Sequence, residues 1–132
     1  MKKSVLQIQN DLIVKYCNTI NFRPTNEKGA YCYVPERIIC ISCDNFLNPT
    51  PTSLFDLLHE IGHIMTNKPG MKRCEEEFYA TQWAIAEMKK YKYEISDKRK
   101  NVFQEYIWKW RDTAIKLKAK SVPSREELTL KW

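Results

Sequence analysis

The sequence predicts a mainly helical α+β domain in which a small antiparallel sheet packs beside one central helix. Three observations point there. Apolar residues recur at helical spacing over four long segments. Short β-branched and aromatic runs, separated by turn clusters, are confined to residues 20–41. The 132-residue length allows one core rather than two, so a single domain over 1–132 is expected, with a helical C-terminal extension from about 96. Hydrophobic residues make up 43% and charged residues 29%, which is ordinary for a globular chain. Three Gly and six Pro without a biased tract exclude a fibrous or disordered class. No apolar run approaches the ~20 residues of a spanning helix, so no membrane partner is expected. The basic opening Met1-Lys2-Lys3 is followed by Gln7, Gln9, Asn10 and Asp11 instead of an apolar leader, and the expected location is cytoplasmic.

Residues 4–17 place Val5, Ile8, Leu12 and Tyr16 on one face of a helix that ends near Asn18. Thr25 to Gly29 is a turn cluster dividing Ile20 to Phe22 from Tyr31 to Val34. Pro35-Glu36 then precedes the β-branched run Ile38 to Ile41. Two or three short strands follow, and Asn45 to Pro51 reads as a loop. Ser53 opens the next helix, with Asp56 three residues on. Its apolar stripe is Leu54, Leu57, Leu58, Ile61, Ile64 and Met65, and Asn67-Lys68-Pro69-Gly70 stops it. A helix from about Lys72 to Lys92 comes next. Another starts near Ser96 or Asp97, presenting Phe103, Ile107, Trp110, Ala114 and Leu117. The alternating tail Leu128 to Trp132 either adds a strand or docks on the core. Trp108, Trp110 and Trp132 read as core or docking residues rather than a ligand platform.

The net charge of +6 leaves nucleic acid conceivable, with the excess gathered between Lys89 and Lys120. No Gly-flanked aromatic motif, zinc-finger spacing or clear helix-turn-helix accompanies it, so a solvated helix face is the preferred reading. Five cysteines, an odd number, read as reduced thiols. Cys40-Ile41-Ser42-Cys43 has C-x-x-C spacing but no second pair, and it lies on a strand rather than at a helix start. Small buried hydrophobes are the preferred reading.

The chemistry gathers in His59-Glu60-Ile61-Gly62-His63, which contains both histidines of the chain. Positions four apart lie one above the other on a helix, so both imidazoles can reach one ion. Glu60 is turned by about 100° from His59, where it reaches a water instead of the metal. Chance placement of two histidines would produce H-E-x-x-H about one time in a thousand. A pair of surface histidines on a capped helix is the bland alternative. A zinc site wants a third protein ligand, and the next helix offers Glu75, Glu76 and Glu77. Glu77 shares its face with Ala80, Ala84 and Met88, and the small residues among them would let this helix approach the first one closely. It is the preferred ligand, and Glu75 and Glu76 then form a solvated acidic first turn.

Leu57 to His63, together with Glu77-Phe78-Tyr79-Ala80-Thr81-Gln82-Trp83-Ala84, resembles the ImmA/IrrE-like metallopeptidases of phages, prophages and mobile elements. The second stretch is similar to that family's E-x-x-A-[ND]-x-[FW]-A helix. The resemblance covers roughly residues 20–90 and implies a zincin-like fold with a strand unit before the motif helix. It implies a gluzincin-type site with Zn²⁺ on His59, His63 and Glu77 and with Glu60 as general base. Thr81 stands where the family has Asn or Asp, and would orient a ligand histidine without a charge. Glu77 follows His63 by fourteen residues, which is short for the family, and the family's Leu-Met-Pro-like ending is absent.

The function expected is a zinc-dependent metalloendopeptidase cutting a specific intracellular protein, such as a phage or mobile-element repressor. Its substrate would lie as an added strand along the sheet edge near Tyr31 to Ile41. The alternative from another class is a binding module with a metallopeptidase-like fold, an antirepressor-type protein that grips its partner without cutting it. A third reading, a nucleic-acid-associated protein using the basic C-terminal helix, would show itself as salt-dependent DNA binding.

Overall fold

A computed structural model describes residues 2–132, so Met1 of the basic opening lies outside it. The chain runs α1 (Val5–Tyr16), β1 (Asn21–Thr25), β2 (Ala30–Tyr33), β3 (Ile38–Ser42), α2 (Cys43–Leu47), α3 (Pro51–Thr66), α4 (Arg73–Tyr91) and α5 (Asp97–Lys116). This is a mainly helical α+β fold with one small sheet, as the sequence predicts. Helix α1 is capped by the Ser4 hydroxyl, which accepts from the Gln7 N–H, and it buries Ile8 and Leu12.

The sheet is mixed rather than antiparallel. Its order is β1-β3-β2, with β2 antiparallel to β3 and β1 parallel to it. The reason is visible in β3. Residues Ile39 to Ser42 are buried on both faces, which suits a central strand paired on both sides. β1 contains Pro24, which has no N–H to donate and is confined to an edge. A tight turn with Arg37 in the left-handed region joins β2 to β3, and β1 is left to pair on the opposite side.

Part of the predicted 45–51 loop is helical. The Ser42 hydroxyl at the end of β3 accepts from the Asn45 N–H and starts α2 at once, so Asn45 to Leu47 are helical. Helix α3 begins at Pro51, two residues before the predicted start. Thr50 caps it by accepting from the Ser53 N–H, and the Ser53 hydroxyl accepts from the Thr50 N–H in return. Asp56 pairs with Arg99 instead of completing a cap.

Helix α3 is the centre of the core, with Leu54, Leu57, Leu58 and Ile61 all at most 1% exposed. Beyond it the chain turns through Gly70, whose φ of +85° favours glycine, into α4. The tail docks rather than adding a strand. Gln104 and Gln82 each clasp it through both ends of the amide: Gln104 at the Leu128 carbonyl and the Leu130 N–H, Gln82 at the carbonyl and N–H of Lys131. Leu128 and Leu130 are thereby buried, and Trp132 packs 5.6 Å from the Phe55 ring. Trp108 and Trp110 are likewise half-buried against the core. All five cysteines are free. Cys40 and Cys74 are buried as small hydrophobes, Cys43 is half-buried and Cys17 is exposed. Among the described residues no helix is long and apolar enough to cross a membrane.

Helices α3 and α4 meet at Gly62 and Ala80. A Cβ built on Gly62 would lie 2.5 Å from the Ala80 carbonyl oxygen, so only glycine fits without moving the backbone. Gly62→Ala should lower the urea midpoint of the metal-free protein. Overpacking costs about 1–3 kcal/mol, against a helix-propensity gain of about 1 kcal/mol from replacing glycine. A variant as stable as the wild type would contradict this contact.

Candidate metal centre

The α3–α4 contact sets the site. His59 and His63 project from the same face of α3, with ring centroids 4.6 Å apart and planes nearly perpendicular. Glu77, one turn before Ala80 on α4, reaches between them. Its Oε2 lies 3.0 Å from His59 Nε2 and 3.0 Å from His63 Nε2, and the two nitrogens are 3.0 Å from each other. His59 is 9% exposed, His63 8% and Glu77 3%. The other two glutamates lie elsewhere. Glu75 accepts from the Lys72 N–H at the start of α4, and Glu76 stands on the cleft wall outside the cluster.

Thr81, fully buried one turn beyond Glu77, fixes the proton arrangement of His59. Its hydroxyl oxygen is 2.7 Å from the Glu77 carbonyl oxygen and 3.0 Å from His59 Nδ1. A carbonyl only accepts, so the single hydroxyl proton is spent there, and the hydroxyl oxygen accepts from Nδ1–H. Nε2 is then the nitrogen left to face Glu77 and His63: with a proton it donates to the Glu77 carboxylate, and without one it offers its lone pair to a cation.

Three donor atoms thus converge. Burial opposes ionisation of Glu77, but hydrogen bonds and charge from both histidines outweigh it and hold the carboxyl far below the usual carboxylate range. Burial likewise opposes charge on His63, and the Glu77 carboxylate overcomes it and raises that pKa. The cluster therefore asks for positive charge at its centre, and a cation can take the place of the Nε2 protons. Two imidazole nitrogens and one carboxylate oxygen are a donor set that zinc takes, and their 3.0 Å separations are near the ~3.3 Å edge of a tetrahedral zinc site. The residues present fit a small divalent cation.

The cluster opens onto a cleft of about 440 Å³ between β2, α3, α4 and α5. Glu60 lines it, as the spacing of the motif predicts. Burial raises its pKa, against the lowering effects of His59 and of the nearby Cys32 thiol. The Cys32 thiol is itself pushed up by burial and by the Glu60 and Glu77 carboxylates. Sequence reasoning missed Cys32, Asp56, Arg73, Arg99 and Tyr106 as cleft residues. Arg73 precedes Glu77 by four residues and forms an ion pair with it, Nη2 to Oε1 at 3.0 Å, a pair legible from helical spacing. Arg99 and Tyr106 come from α5, and only the tertiary fold brings them here.

The pKa of Glu60 has a consequence for stability. The native protein holds that proton to higher pH than the unfolded chain, so the contribution of Glu60 is most favourable below its usual pKa of 4.5 and is lost as pH rises through the raised value. Glu60→Gln should therefore raise the Tm of the metal-free protein by a few degrees at pH 7, and the gain should fade as pH falls below the usual carboxylate range. A thermal melt showing no gain at pH 7 would contradict the half-buried, charged placement of Glu60.

In comparisons with protein-family models, curated proteins and solved structures, nothing matches this chain.

Proposed function

We propose that this chain is a zinc-dependent endopeptidase acting in the cytoplasm on a specific protein, with a phage or mobile-element repressor the substrate that its resemblance to the ImmA/IrrE-like metallopeptidases suggests. The observation that carries the reading is the convergence of His59 Nε2, His63 Nε2 and Glu77 Oε2 at 3.0 Å, with Glu60 on the wall of the same cleft. His59, His63 and Glu77 would hold the zinc. A bound zinc supplies Lewis acidity, which acidifies water and polarises a carbonyl oxygen.

The remaining chemistry belongs to side chains of this protein. Thr81 keeps His59 in the tautomer that presents Nε2. Glu60, ionised, accepts a proton from the attacking water and delivers it to the leaving amine. Its raised pKa places it closer to working pH than an ordinary glutamate, which favours both transfers. The peptide lies along β2, whose outer edge borders the cleft. β3 is paired on both sides, so of the Tyr31 to Ile41 stretch only β2 has main-chain groups free to receive an added strand. Five free cysteines suit a reducing compartment.

The test is cleavage of a proteome-derived peptide mixture by zinc-loaded protein, followed by mass spectrometry. Wild-type protein should generate new peptide termini, and Glu60→Gln should lose about 10²–10⁴-fold in rate while keeping its zinc. Full activity in Glu60→Gln would overturn the mechanism. Intact peptides with zinc bound to the wild type would favour the binding module, a protein that grips a partner without cutting it.

A further inference from the structure

The proposed zinc site leaves Arg73 and the α5 helix without a part, yet they touch its third ligand. Glu77 divides its two oxygens: Oε2 faces both histidines, and Oε1 lies 3.0 Å from Arg73 Nη2. Arg73 is in turn held from α5. Its guanidinium stands 5.2 Å from the centroid of the Trp110 ring, and the Tyr106 side chain lines the same cleft beside it. Trp110 and Tyr106 pack edge to face with centroids 6.2 Å apart, so the two aromatic groups form one wall. Two contacts therefore fix an arginine whose side chain is otherwise half exposed.

The consequence follows from carboxylate chemistry. A free carboxylate beside a divalent cation can offer one oxygen or both, and a bidentate grip fills a position that a catalytic site keeps open. A guanidinium on Oε1 removes that choice. Resting on the zinc reading, we infer that Arg73, held against Trp110 of α5, is a positioning residue that makes Glu77 a one-oxygen ligand and preserves an open coordination position. The C-terminal helix thereby acts on the metal centre through Arg73 without contributing a ligand. An i,i+4 ion pair serving only to stabilise the first turns of α4 would leave the coordination unchanged.

Cobalt substitution distinguishes the two, because the intensity and position of the visible Co²⁺ bands report coordination number. The full-length protein is loaded with Co²⁺ as wild type, Arg73→Met and Arg73→Lys, and absorption is recorded alongside thermal melts. Arg73→Met should lose band intensity and shift its bands, as Glu77 closes on the ion with both oxygens. Arg73→Lys, which restores a cation on Oε1, should recover the wild-type spectrum. If Arg73→Met does not fold, Trp110→Leu, which loosens Arg73 from outside the ligand set, is read in its place and should show the same loss. A changed Tm with an unchanged spectrum in these variants would overturn the inference and leave the zinc site standing. Wild-type protein that binds neither Co²⁺ nor Zn²⁺ would overturn the zinc reading itself, and the inference with it.

Discussion

The close approach of α3 and α4 at Gly62 and Ala80 is the constraint on which the rest depends. With a Cβ at position 62 excluded by the Ala80 carbonyl, the two helix backbones lie nearer than ordinary side chains allow. That proximity brings Glu77, one turn before Ala80, to within 3.0 Å of both histidines. It also sets Thr81, the next residue, against His59 Nδ1. The same small residue that breaks the motif helix's apolar stripe thus positions a ligand and the group that orients another ligand.

Around this contact the fold divides its labour. The apolar face of α3 is sealed in the core by Leu54, Leu57, Leu58 and Ile61, which makes the helix a rigid platform. The opposite side of the same helix faces the cleft and carries Asp56, His59, Glu60 and His63. The sheet is too small to form a core alone, and it serves chiefly to hold β2 along one wall. α5 closes the other wall. Phe103 fastens α5 to α3, packing edge to face on Phe55 at 5.0 Å and lying 5.6 Å from the His59 ring. The buried negative charge of Glu77 is compensated within this frame by the histidines on one oxygen and by Arg73 on the other.

What was legible in the sequence was what is local. The i,i+4 histidines lie on one helix, and helical phase alone separates Glu77 from Glu75 and Glu76. The small residues at 80 and 84 point to close packing before any coordinates are known. The helix starts near Ser4 and Ser96 were legible from helical spacing, and in the structure each serine hydroxyl caps its helix by accepting from the N–H three residues on. The sheet order was not legible, because strand pairing is non-local and nothing in Ile20 to Phe22 says which neighbour it takes. Pro24 and the two-sided burial of β3 explain the outcome only once the partners are known. The start of α3 was misplaced because Ser53 caps from inside the helix, reciprocating Thr50. Arg99 and Tyr106 escaped notice since α5 must fold back onto α4 before either reaches the cleft.

The central claim is that His59, His63 and Glu77 form a zinc site. The most direct test is the metal content of protein purified without chelator, measured beside His63→Ala and Glu77→Ala. The account predicts one zinc per wild-type chain and its loss in both variants, with the helical content of each variant retained. A wild-type protein that takes up no zinc even when it is supplied, or a Glu77→Ala variant that keeps it with wild-type affinity, would contradict the account.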